Sequence, residues 1–165
     1  MNHRILIPLL FSPLGILLAE EILPTEGQID FKRGTAETVD GIRSVTGEAD
    51  ATGHGPITYY QIPFAEGAVS LSWKVDAEPS VSLVFDGPER GKASHSLKVI
   101  FNGGPGKDRV PEVLTLISYD GSTPQNKKAK VVRHQHHAEP GEWHEVSVRI
   151  EGDQATVVVD GETFA

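Results

Sequence analysis

Four of the seven histidines fall in one short stretch, His134, His136, His137 and His144. Imidazoles two positions apart on a strand share a face. His134 and His136 could therefore reach zinc or copper together, with His144, beyond the Pro140-Gly141 turn, as a third ligand from a neighbouring strand. Lys127, Lys128, Lys130 and Arg133 crowd the same segment, and their charge disfavours a bound cation. The expectation is a solvated basic patch, with no metal.

A second grouping lies upstream. Asp86 ends an apolar run, Glu89 follows in the adjoining loop, and His95 opens the next run, so the three can share one rim of a sheet and contact a ligand there. The competing reading is that Asp86, standing before Gly87, only shapes a turn.

Other signatures fail. Glycoside hydrolysis ordinarily needs two carboxyls about 5 Å apart for retention and farther apart for inversion. The nearest approach to the Glu-x-Asp-x-x-Glu strand of jelly-roll glucanases is Glu48-Ala49-Asp50-Ala51-Thr52-Gly53, which lacks the last Glu. No residue is thereby assigned to catalysis. The run Asn102-Gly103-Gly104-Pro105-Gly106-Lys107-Asp108 has Phe101 where a phosphate loop needs its first Gly, and Asp108 where it needs Ser or Thr. Trp73 and Trp143 both read as structural, while the faces of Tyr59, Tyr60 and Tyr119 stay open. With no cysteine, thiol catalysis and thiolate-bound metals are excluded, and no cofactor is implied.

Strands must position these groups. In Val69-Ser70-Leu71-Ser72-Trp73-Lys74-Val75-Asp76 apolar and polar residues alternate throughout, the period of a half-buried strand. Similar runs occur over 57–64, 81–86, 95–102, 113–120, 145–151 and 154–160, separated by turn residues at Asp86-Gly87-Pro88, Asn102–Gly106, Asp120-Gly121 and Glu151-Gly152-Asp153. No helical stripe carries start and stop caps. Many short strands make an antiparallel sandwich or barrel. Residues 24–54, broken by glycines, are expected to give one or two strands leading into the sheet. After the Asp160-Gly161 turn only four residues remain, so a closing C-terminal strand is expected to be missing, which leaves an edge through which copies of the chain can pair.

Residues 1–19 have a short polar start with Arg4, an apolar run broken by Pro8, Ser12, Pro13 and Gly15, and Ala19 before Glu20-Glu21. This is the pattern of a cleavable signal peptide. The run is short of the roughly twenty apolar residues of a membrane span. The expectation is a secreted, periplasmic or cell-envelope protein with a single β-sandwich domain over 20–165 and no transmembrane span once the signal is removed. Net charge is −8 at pH 7, and loss of Arg4 alone takes it to −9, which argues against nucleic acid and for neutral or cationic partners.

The segment Gly141-Glu142-Trp143-His144-Glu145-Val146-Ser147-Val148-Arg149-Ile150, then Gly152, then Ala155–Gly161, resembles the concanavalin A-like, laminin-G-like jelly roll, in which a Trp precedes a strand and a hairpin leads to a second strand ending in Asp-Gly. With residues 77–87 and 94–102 and the export signal, the chain most resembles the 3-keto-disaccharide hydrolase domain of secreted bacterial proteins of planctomycete type, over roughly residues 30–161. The family's characteristic opening segment is not present. The resemblance implies a carbohydrate or glycoconjugate partner, met by a glycan-binding module or a glycoside-processing domain. The alternative is a structural or adhesive envelope protein that associates through its sheet edge.

Overall fold

The computed structural model describes residues 24–40, 42–48, 55–63, 65–75, 80–86, 95–102, 112–119 and 129–164. The segment read as a signal peptide, residues 1–19, lies outside them. The described residues are all-β and sandwich-like, with one 3-10 turn at Glu26–Gln28. Among them no helix is long and apolar enough to cross a membrane. The chain forms two compact units, Met1–Leu71 with Ser147–Thr156, and Ser72–Val146 with Val157–Ala165.

In the first unit β1 (Ile29–Arg33) pairs antiparallel with β4 (Ile57–Tyr60), and β2 (Thr35–Val39) pairs with β3 (Ile42–Thr46). The described part of residues 24–54 thus yields three strands, and β2 and β3 make a sheet of their own instead of leading into a larger one. The glycines explain the difference. Gly34 has a φ of 91°, and a Cβ there would run into the Thr46 carbonyl oxygen, so the chain reverses where only glycine fits.

The remaining strands form two four-stranded sheets, one ordered β6-β7-β8-β9 and the other β12-β11-β10-β5. They are β5 (Gly67–Trp73), β6 (Val81–Asp86), β7 (His95–Phe101), β8 (Val113–Tyr119), β9 (Ala129–Gln135), β10 (His144–Glu151), β11 (Gln154–Val159) and β12 (Glu162–Phe164). Within the second unit Trp73, Val146, Val157, Val159 and Phe164 are buried, as are Leu97, Val99 and Phe101 of β7 and Leu114 and Leu116 of β8. Register carries Phe101 beside Val81 and Leu114, and Leu114 beside His134, so these four lie in one row across the sheet. The Phe101 ring meets Trp73 at a centroid distance of 4.9 Å.

Two elements depart from expectation. Strand β9 has adjacent valines at 131 and 132 and an inward His134, so no alternation announces it. The few residues after Val159 suffice for a hairpin: Asp160 (φ 49°) and Gly161 (φ 85°) both have the left-handed backbone of a two-residue type I′ turn, and β12 pairs Val159 with Glu162 and Val157 with Phe164. Phe164 is 5% exposed, so the short strand closes over the core of its unit.

Candidate functional site

At one end of the β6–β9 sheet, Asp86 and His95 meet. Phe85 stands opposite Leu97 and Asp86 opposite His95, which leaves Ser96 unmatched in a β-bulge. The Ser96 hydroxyl donates to the Phe85 carbonyl at 2.9 Å, closing the irregular step. Bulges re-aim side chains, and this one brings His95 Nδ1 to 2.6 Å from Asp86 Oδ1. A carboxylate on Nδ1 takes the N–H there and leaves Nε2 as the basic nitrogen. Glu89, the third residue expected at this rim, lies outside the described residues.

Two further groups complete the corner, and neither was singled out from the sequence as a member of it. The Tyr119 ring lies 6.2 Å from the His95 ring, and Lys98 Nζ lies 6.0 Å from the centre of the Tyr119 ring. Register explains the meeting: Lys98 stands opposite Val84 and Ile117, and Tyr119 is two residues beyond Ile117 on the same face. Burial pushes the Tyr119 phenol up, so it stays a donor at neutral pH. Burial also lowers Lys98, against the attraction of Asp86, which pulls the other way.

Among the described residues, the other histidines gather at the opposite end of that sheet, in a different role. His134 of β9 and His136, one residue beyond its end, do share a face, and both rings pack edge-on to Phe164, at 5.1 and 5.6 Å. Their Nε2 atoms are buried without a hydrogen-bond partner, as is Trp73 Nε1. His144 is not a third ligand beside them. Its Nδ1 lies 2.8 Å from Asp160 Oδ2 and its Nε2 3.1 Å from the Glu139 carbonyl oxygen. Among the described residues no three His, Asp or Glu side chains come together so as to hold a metal ion. Sequence spacing finds the shared face of His134 and His136 but not the commitment of His144, because Asp160 reaches it only through the β11–β12 turn.

Burial lowers His136. Asp160 and Glu162 pull it up while His144 and His137 push it further down, and the net effect is a proton held less tightly than usual. The unfolded chain then binds that proton more readily than the folded one, so stability falls as pH drops below about 6.5 toward the lowered folded value. In His136→Phe, which keeps the ring contacts to Phe101 and Phe164, that acid-side loss is expected to disappear from urea midpoints taken between pH 7 and 5. An unchanged loss in the variant would assign it to another group.

Trp143 corrects an expectation. It is 53% exposed, with Lys74 Nζ 5.7 Å from its ring centre. The pleat explains this: His144 takes the buried position at the start of β10, so its neighbour points outward. Elsewhere, an open cleft of about 470 Å³ in the first unit is lined by Glu26, Ile29, Ala36, Glu37, Thr38 and Arg43 and contains none of the residues expected at a site. Unlike the Asp86–His95 corner, its lining includes no aromatic residue. Compared with known proteins, the chain matches no protein-family model and no curated protein.

Proposed function

We propose that this chain is an exported jelly-roll domain that engages carbohydrate, of the 3-keto-disaccharide hydrolase-like type, with its ligand held at the Asp86–His95 corner. One observation carries the reading: the Tyr119 ring, a flat apolar surface suited to a pyranose face, stands beside an imidazole whose orientation a carboxylate fixes at 2.6 Å. Lys98 adds a donor on the same face. An acidic chain at −8 with a neutral sugar as partner needs no further charge compensation. The corner couples a carboxylate to an imidazole, which favours a binding role over hydrolysis by paired carboxyls.

The test is a glycan array, followed by titration against the strongest glycan and against a 3-keto-glycoside. Tyr119→Ala and His95→Ala are each expected to weaken binding by about ten- to a hundredfold, the loss of one stacking or hydrogen-bonding group. Binding that both variants leave unchanged moves the site elsewhere. Silence on the array together with concentration-dependent association of the native chain would favour the structural, edge-pairing alternative instead.

A further inference from the structure

The Asp86–His95 corner contains a group that sugar binding alone does not require. Lys98 sits in the row Val84–Lys98–Ile117–Val131, beside Ile117 at 4% exposed, while Val84 and Val131 are 43% and 39% exposed. Partly covered in this way, its ammonium loses some of its hydration, which favours the free amine. Lys98 Nζ lies 6.0 Å from the Tyr119 ring, and on the same ring, at 6.2 Å, lies an imidazole with its Nδ1 held by a carboxylate; the phenol is a proton donor at neutral pH, and burial raises it further. A half-buried amine, a proton carrier and a proton donor are the groups needed to condense an amine with a carbonyl compound.

We propose that Lys98 is a carbonyl-capturing amine, forming an imine with small aldehydes or ketones while His95 carries the protons. The Lys98 nitrogen lone pair attacks the carbonyl carbon, and the C=O π pair moves to oxygen. The oxygen takes up a proton as the nitrogen sheds one through His95 Nε2. A second proton, from the Tyr119 hydroxyl or from His95, lets that oxygen leave as water while the nitrogen lone pair forms the C=N bond, and the remaining N–H proton of the iminium passes back to the donor, which leaves the neutral imine and a restored donor. No oxidant, reductant or metal is consumed. The lowered proton affinity of Lys98 supports this, because more of the amine is free near neutral pH. The proposal shares its corner with the glycan reading but does not rest on it, since a carbonyl compound too small to be a glycan serves as the probe.

The experiment exposes the full-length protein to glyceraldehyde with sodium cyanoborohydride at pH 7 and follows each lysine by peptide mass spectrometry. Lys74 and Lys130, both exposed, are the internal standards. Lys98 is expected to be reductively alkylated about tenfold faster than either, or more. His95→Asn should lower the rate at Lys98 and leave Lys74 and Lys130 unchanged, a pattern that general unfolding would not produce. Lys98→Met, matched to its apolar row, should melt like the native protein and leave only the background labelling. Labelling of Lys98 no faster than Lys74 overturns the proposal, and so does fast labelling that His95→Asn does not slow. Fast, His95-dependent labelling beside a silent glycan array would uphold capture and remove the glycan reading.

Discussion

Phe101→Ala is expected to destabilise the protein by about 3–5 kcal/mol, the range for deleting a fully buried phenylalanine where neighbours cannot collapse into the space. Phe101 is 1% exposed and stands in the row from Val81 to Leu114, against Trp73 at 4.9 Å and His136 at 6.4 Å. These neighbours are held by two hydrogen-bonded strands and by rings that contact further rings, so the cavity stays open. Trp73, 8% exposed, reports the change through its fluorescence during urea unfolding, while the exposed Trp143 contributes a nearly constant signal. Phe101→Leu, which keeps much of the volume, should cost far less. A loss below about 1 kcal/mol in Phe101→Ala would mean that the inner face of the β6–β9 sheet contributes little to holding the unit together.

The next largest effect is expected from Asp160→Ala, at about 2–3 kcal/mol. Asp160 does three things at once. Its backbone adopts φ 49°, a conformation Asp and Asn tolerate better than Ala. Its Oδ1 accepts the Glu145 N–H at 2.8 Å, and its Oδ2 faces His144 Nδ1 at 2.8 Å. His144, 5% exposed, is left with an unpaired nitrogen when the carboxylate goes. The figure sits below that for breaking a fully buried ion pair because the Asp160 side chain is 39% exposed and water takes up part of the loss.

Both ring nitrogens of His144 face oxygens that can only accept, so the doubly protonated imidazolium is the form this place satisfies. Burial lowers its proton affinity, but the hydrogen bonds to Asp160 and to the Glu139 carbonyl, with the charges of Asp160 and Glu142, outweigh burial and raise it. For Asp160 burial raises the carboxyl, and the bonds from His144 and the Glu145 N–H outweigh it and lower it. A raised histidine stabilises fully below its ordinary 6.5 and loses that contribution as pH climbs through its folded value. A lowered carboxylate stabilises above its ordinary 3.8 and loses it as pH falls through its folded value. The pair therefore contributes most between pH 3.8 and 6.5. Asp160→Asn, which keeps the turn and an acceptor for Glu145, should differ most from the native protein in that window, and the difference should narrow at alkaline pH, where the part owed to protonated His144 is lost. A pH-independent difference would leave Asp160 with only its turn-forming role.

The parts of this fold legible in the sequence are those where one face is apolar and the other polar. Strand β6, with Val81, Leu83 and Phe85 inward, and strand β5, ending in buried Trp73, could be read from period alone. Strand β9 could not, because its inward residues include His134 and its outward ones Val131, which inverts the usual pattern. The first unit was partly hidden for another reason. Its strands β2 and β3 are exposed almost throughout, Val39 and Ile42 among them, so burial imposes no alternation on them. At the candidate site, Asp86 and His95 were recognisable as neighbours across a turn. Tyr119 and Lys98 were not, since only the register of β7 against β8 brings them to the same corner.

The bulge at Ser96 makes the step between β6 and β7 a condition of this corner. The direction of His95 depends on one unmatched residue in the ladder between β6 and β7, and on no feature of the imidazole or of Asp86. Because side chains alternate with period two, a ladder that ran on without the bulge would set Ser96 opposite Asp86 and turn the imidazole to the other side of the sheet, with every chemical group still encoded. Loss of the codon for Ser96 would instead leave Asp86 and His95 as a regular cross-strand pair on one face. Among related chains, this corner would therefore survive a one-residue deletion at position 96 and be lost where the residue stays but the bulge does not.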